Sequence, residues 1–281
     1  MITASAGLAA PATVMAALAC PKCRARAIFD QDRISCTSCG ASYAVSNGVI
    51  DLRPPATAQK YEEIQWTEHW ASGNQQSTSQ RFFSFYRKAV FARAVAYFVG
   101  RYLPKGGVLV EAGCGTAETS ILIDKENGAR TLVALDLIQP ILEHCHPVMD
   151  VRICGDIFAL PFLDNSVDGI WNVGVMEHFT HAQIDAIMKE FHRVLKPGSR
   201  VILLWPATFS IPQRILRVLE WFINMRRDAS SKFRFHPDEI SQLRSVKQGR
   251  DVLIRNGFRP AAIDIGLRTL MAFETLVGAK A

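Results

Sequence analysis

The sequence predicts an α/β fold: a parallel sheet with helices on both faces, preceded by a small module held by cysteines. Three observations carry this. Short apolar runs at 108–110, 131–136, 151–156, 167–172 and 200–205 recur with helix-length intervals between them, and they lack the polar alternation of half-exposed strands. The first three runs lead to acids, Glu111, Asp136 and Asp156, and the fourth ends in Asn172, at the carboxyl edge where open parallel sheets hold ligands. Near the amino end, four cysteines fall into two C-x2-C pairs.

At 281 residues, 49% hydrophobic and 21% charged, the chain has a globular composition, long enough for one large α/β domain and a small companion. No apolar run reaches about 18 residues, so no transmembrane helix is expected. Residues 1–17 are small, apolar and interrupted by Pro11, and no Lys or Arg precedes Cys20. That lacks the basic start of an export signal and reads as a disordered or loosely helical leader rather than a lipoprotein signal. Seven cysteines are odd for a disulfide framework, which points to a reducing, cytoplasmic setting.

Cys20 and Cys23, then Cys36 and Cys39 followed by Gly40, have zinc-ribbon spacing. Each pair turns two thiolates to one side, and two pairs complete a closed tetrahedral site with a structural role. A short hairpin is expected between them at 27–33, and a second at 42–53 around Asn47-Gly48. The ribbon, residues 18–53, carries five bases and three acids, so with four thiolates on zinc it is near neutral and poorly suited to clamp a nucleic acid.

Pro54-Pro55 closes the ribbon and opens a helical linker, 54–103. It contains a short helix at 61–70, a polar loop at 72–80 that reads as a lid, and an aromatic amphipathic helix at 82–102 that stops at the Gly106-Gly107 turn. The main domain spans 104–281. Its first strand runs into Gly113-Cys114-Gly115, a turn that lets backbone approach a ligand closely. Glu118 stands where a dinucleotide fingerprint would place a third glycine, and Ala117 is expected at a helix start. A helix at 182–195 ends at Lys196-Pro197-Gly198, and two strands at 261–266 and 269–278 form a terminal reversed hairpin.

Taken in order, Glu-Ala-Gly-Cys-Gly-Thr at 111–116, Asp136, Gly-Asp-Ile-Phe-Ala-Leu-Pro-Phe at 155–162, Asp-Asn-Ser-Val-Asp-Gly-Ile at 164–170, Met-Glu-His-Phe at 176–179 and Phe-His-Arg-Val-Leu-Lys-Pro-Gly at 191–198 resemble class I S-adenosylmethionine (SAM) methyltransferases. They are similar to the small-molecule and cofactor-biosynthesis subgroup, and the cysteine module resembles zinc ribbons that precede such domains. The resemblance covers about residues 105 to 205. It implies a Rossmann-like, seven-stranded class I methyltransferase sheet. It also implies SAM contacts from Glu111, Gly113, Cys114, Gly115, Asp136, Leu137, Asp156, Ile157 and Asn172. Asp136 would take the ribose hydroxyls and Asp156 the adenine amino group, with a turn cap as the plain alternative for Asp156. Ala117 replaces the glycine usual in this family.

Methyl transfer chiefly requires alignment of the acceptor and exclusion of water. His178 and Glu177 are the candidate catalytic pair, as base or as pocket wall, with His69, His144, His181 and His236 behind them. Cys114, Cys145 and Cys154 read as small buried hydrophobes. Residues 206–260 hold eleven Lys or Arg and five acids, an excess equal to the whole chain's net +6. This reads as a substrate insert, with a basic, apolar helix at 211–227 able to pack on the core or lie on a membrane surface. The expected acceptor is an anionic or lipid-linked small molecule. An rRNA base methyltransferase is the alternative, disfavoured by Asn-Val-Gly-Val at 172–175, and a non-catalytic SAM-binding protein is the third reading.

Overall fold

A computed structural model describes residues 11–30, 33–54, 87–206 and 240–281, together with residues 208, 218, 221, 222, 224 and 225. The helix expected at 61–70 and the lid at 72–80 lie outside the described residues, as do His69 and His236.

α1 (Ala12–Ala17) precedes the ribbon, which comprises β1 (Ala27–Asp30), β2 (Arg33–Cys36), β3 (Ser42–Ser46) and β4 (Val49–Asp51). A π-helical turn, Arg87–Phe91, leads into α2 (Ala92–Tyr102). There follow β5 (Gly107–Ala112), β6 (Arg130–Asp136), α3 (Gln139–Glu143), β7 (Val151–Cys154), β8 (Val167–Val173) and a 3-10 turn, Met176–His178. The chain closes with α4 (His181–Val194), β9 (Leu195–Pro206), α5 (Val246–Arg255), β10 (Phe258–Asp264) and β11 (Phe273–Lys280).

Seven strands run in the order β7-β6-β5-β8-β9-β11-β10, with β11 antiparallel to β9 and to β10. The sheet does not end there. β4 pairs in parallel with β7 (Val49 to Arg152, Ile50 to Ile153, Asp51 to Cys154), so the ribbon strands extend it to eleven. The sequence leads to seven because strand pairing across a hundred residues leaves no local signal.

Burial on both faces explains the apolar runs. On one face Val108, Val110, Val133, Ile170, Leu203 and Trp205 pack with α4 and with ribbon residues such as Ile34 and Ile50. On the other, Leu109, Leu132, Trp171, Ile202 and Leu204 pack with Val95, Phe98 and Val99 of α2. A Thr180–Gln183 capping box starts α4.

Of the disordered or loosely helical leader expected at 1–17, residues 12–17 form α1, which buries Val14 and Ala17 in the core shared with the main sheet, and this packing stabilises a helix too short to persist alone. Three expectations are corrected. The terminal strands begin at Phe258 and Phe273 rather than 261 and 269, because Gly266 and Leu270 take left-handed conformations around a 3-10 turn, Leu267–Thr269. The strand after α4 begins at Leu195, earlier than the expected 200. No helix follows the glycine turn; residues 114–123 chain together three-residue turns, Ala117 to Cys114, Ser120 to Ala117 and Ile123 to Ser120. Ala117 sits inside this run at φ 55°, a left-handed conformation that a glycine adopts without penalty.

Candidate active site

The turn after β5 is anchored to β6. The Gly113 and Cys114 N–H groups donate to the Leu135 carbonyl at 2.8 and 3.1 Å. Gly115 N–H donates to Asp136 Oδ2 at 2.8 Å and Ile138 N–H to Oδ1 at 3.1 Å, so the half-buried carboxylate organises the turn while each oxygen keeps further acceptor capacity. Burial pushes its pKa up against the pull of these backbone donors. Gly113 has φ 75°, and a Cβ there would lie 2.8 Å from Val175 Cγ2. Only glycine fits between the turn and the loop after β8.

Glu111 is buried, and its oxygens accept from Thr119 Oγ1 at 3.1 Å and Ser120 Oγ at 2.8 Å. Trp171 Nε1 donates to the same Ser120 hydroxyl at 3.2 Å. Burial pushes the Glu111 carboxyl up to about 7. These partners were not legible beforehand: two hydroxyls in a loop carry no motif, and only the fold brings them under the acid.

Asp156 lies beside Asp136, because Gly155 N–H donates to the Asp136 carbonyl at 2.8 Å. Its Oδ1 accepts from Phe158 N–H at 2.8 Å, the turn-cap geometry. Leu137 and Ile157 are half-buried on the two loops, and Cys154 Sγ donates to the Leu137 carbonyl at 3.2 Å. Cys114, Cys145 and Cys154 are buried. Asn172 is fully buried, and neither amide atom has a hydrogen-bond partner among the described residues. An orphaned amide at the carboxyl end of a central strand is the kind of group a bound ligand satisfies.

Glu177 and His178 stand on the 3-10 turn beyond β8, with His178 Nε2 3.8 Å from Glu177 Oε1. The Glu177 carbonyl accepts from Ile240 and Ser241 N–H at 2.7 and 2.9 Å, and Trp205 Nε1 donates to the Ser241 carbonyl at 3.0 Å. The chain therefore returns from the basic insert directly onto the candidate catalytic turn. His144 sits on the exposed end of α3, its Nδ1 2.9 Å from the Pro140 carbonyl, and His181 is exposed at the start of α4.

Cys20, Cys23, Cys36 and Cys39 place their sulfurs within 4.8 Å of one another. Cys20 and Cys39 are 3.6 Å apart, Cys23 and Cys36 3.4 Å. Tetrahedral zinc with bonds of about 2.3 Å separates its sulfurs by about 3.8 Å, so the donor set fits. The two knuckles are alike: Arg24 N–H donates to the Cys20 carbonyl and Gly40 N–H to that of Cys36, with φ of 61° and 70°. Tyr43 Oη lies 3.1 Å from Cys20 Sγ, able to donate to a thiolate.

Residues 110–203 match the model of a family described as a methyltransferase domain. A malonyl-(acyl-carrier protein) O-methyltransferase of Herminiimonas arsenicoxydans is 29% identical over 116 residues, covering 41% of this chain and 44% of the relative. The enzyme of that name from Dechloromonas aromatica (strain RCB) is 30% identical over 141 residues, covering 49% of this chain and 50% of the relative. The chain thus spans half or less of the length of these curated relatives. Among solved structures, magnesium protoporphyrin IX methyltransferase from Synechocystis PCC 6803 with bound SAH superposes with a TM-score of 0.53 at 15% identity, over 81% of this chain and all of that one. Sheet order, turn geometry and these matches agree: the α/β part of the chain has the fold of class I methyltransferases and is similar in sequence to methyltransferase domains. It carries at its amino end a four-cysteine cluster of zinc-ribbon type.

Proposed function

We propose that the protein is a SAM-dependent methyltransferase acting on an anionic or lipid-linked small molecule. The observation that carries this is the hydrogen-bonded unit of Gly113–Gly115, Asp136 and Asp156 at the carboxyl ends of β5, β6 and β7, with the orphaned Asn172 amide closing β8. In this reading Asp136 accepts from the ribose hydroxyls and Asp156 from the adenine amino group, with Leu137 and Ile157 against the ring. Gly113, Cys114 and Gly115 pass close to the methionine portion, and Glu111 holds their loop from below through Thr119 and Ser120. SAM, when bound, supplies a methyl group on a sulfonium. The protein's own task is to orient the acceptor and exclude water. In this reading His178, whose side chain is 16% exposed and whose Nε2 lies 3.8 Å from Glu177 Oε1, walls the acceptor pocket or takes a proton.

The insert supports the choice of acceptor. Val218, Trp221, Phe222 and Met225 repeat at i, i+3, i+4 and i+7, and all are between 53% and 60% exposed. Among basic residues at 214, 217, 226 and 227, such an uncovered apolar stripe suits an anionic lipid surface better than bulk water. Relatives named for malonyl-(acyl-carrier protein) and for 2-methyl-6-phytyl-1,4-hydroquinone are in keeping with carrier- or lipid-linked acceptors.

The test is transfer of labelled methyl from SAM into fractionated cell extract. Label should enter an organic-soluble or anionic small-molecule fraction and vanish with Asp136→Ala. Label found only in RNA would sink the reading of the acceptor; no label in any fraction, together with no S-adenosylhomocysteine binding, would sink the enzyme itself.

A further inference from the structure

The ribbon touches both loops assigned above to the cofactor, and it does so next to its own metal ligands. On the first loop, Gln139 Nε2 donates to Ser46 Oγ at 2.9 Å and Asn47 Nδ2 donates to Glu143 Oε1 at 3.1 Å. Ser46 and Asn47 form the β3–β4 turn, and α3, which they grip, begins three residues after Asp136. On the second loop, Ala19 N–H donates to the Pro161 carbonyl at 3.0 Å and Leu163 N–H to the Ala17 carbonyl at 2.8 Å, with Leu18 bridging Phe162. This brackets the run that follows Asp156. Leu52 N–H adds a bond to the Cys154 carbonyl at 2.8 Å, just before Gly155.

A side-chain relay completes the grip. Arg24 Nη1 donates to Glu190 Oε1 at 3.1 Å, and Glu190 Oε2 accepts the Leu160 N–H at 3.0 Å. Ala19 and Arg24 directly flank Cys20 and Cys23. A metal that fixes those thiolates therefore fixes two of the residues through which the ribbon holds the Asp156 loop. Without metal, Arg24 must keep its left-handed φ of 61° on backbone hydrogen bonding alone.

We infer that the ribbon is the positioning element of the cofactor cleft: Arg24, Ser46 and Asn47 set the Asp136 and Asp156 loops, and metal occupancy of the four-cysteine site sets cofactor affinity. This rests on the reading of the cleft as a SAM site. It gives the metal a task beyond holding its own module, since these contacts lie on the methyltransferase domain.

The probe is S-adenosylhomocysteine, measured by calorimetry against full-length protein with its metal content determined. Chelation should weaken binding by at least about tenfold. The pair Ser46→Ala and Asn47→Ala should keep full metal content yet weaken binding by about fivefold, the size expected for the loss of one or two net hydrogen bonds. Arg24→Ala should do the same, and Ser46→Thr, which keeps the hydroxyl, should restore binding in a chain carrying Asn47. Amide exchange should quicken at 137–143 in the first variant and at 156–163 in the second. A merely structural role would lower the melting temperature but leave the affinity of the folded fraction and those amides unchanged, and that result would overturn the inference. Wild-type, metal-loaded protein that fails to bind S-adenosylhomocysteine would instead overturn the SAM reading, so the two failures are distinguishable.

Discussion

Glu274 shows how a single residue can set a pH dependence. Its side chain is fully buried on β11 opposite Trp205, neither oxygen has a partner among the described residues, and burial pushes its pKa up to about 7. Its unfolded value is near 4.3. Between those values the folded state holds a proton that the unfolded chain has released, so stability falls as pH rises through that window, and above about pH 7 the loss is complete. Glu274→Met should therefore raise the melting temperature by more at pH 8 than at pH 4.5, where only the cost of the unpartnered neutral carboxyl, about 1–3 kcal/mol, is relieved. Melts at the two pH values check this; an equal shift at both would contradict it. Gly113 gives a second test. Gly113→Ala should weaken S-adenosylhomocysteine binding at least about tenfold through strain and the clash with Val175, and Val175→Ala added to it should recover part of the loss. Gly113 and Asp136 were legible in the sequence because a motif carries them. Glu274 was not, because its meaning lies wholly in what surrounds it.

At the scale of elements, β4 is the joint of the molecule. It is three residues long, yet Val49 and Ile50 are fully buried on opposite faces of the extended sheet, one in each core cluster. Ile50→Ala should cost about 2–4 kcal/mol, a large penalty for so short a strand, read by denaturant melts of the whole chain. The uncovered stripe of the insert makes a contrasting prediction. Trp221→Glu with Phe222→Glu should abolish sedimentation with vesicles rich in anionic phospholipid while leaving S-adenosylhomocysteine affinity within about twofold, because among the described residues no hydrogen bond or ion pair joins the stripe to the cleft. The parallel strands of the main sheet were readable from their predominantly apolar runs. The turns at 114–123 were not, since Ala117 resembles a helix starter, and neither its left-handed φ nor the hydrogen bonds of Thr119 and Ser120 to Glu111 leave a local pattern.

Across the whole molecule, ribbon and α/β domain share a sheet and a hydrophobic core, so they are expected to unfold together. Cys36→Ser should release the metal and lower the single melting transition of the full chain, whereas an independent module would produce a second transition by calorimetry. The sequence by itself determined the strand-and-acid rhythm, the glycine turn and the four thiolates, because each rests on local rules: buried strands need apolar residues, tight turns need glycine, and a tetrahedral metal needs paired cysteines. Tertiary structure alone decided that the ribbon is a continuation of the sheet, that Glu111 is tied down by hydroxyls, that the leader has a buried helix, and that the insert returns onto Glu177. Those features depend on contacts between residues far apart in the chain, where the free energy comes from shared burial and paired hydrogen bonds that no local pattern encodes.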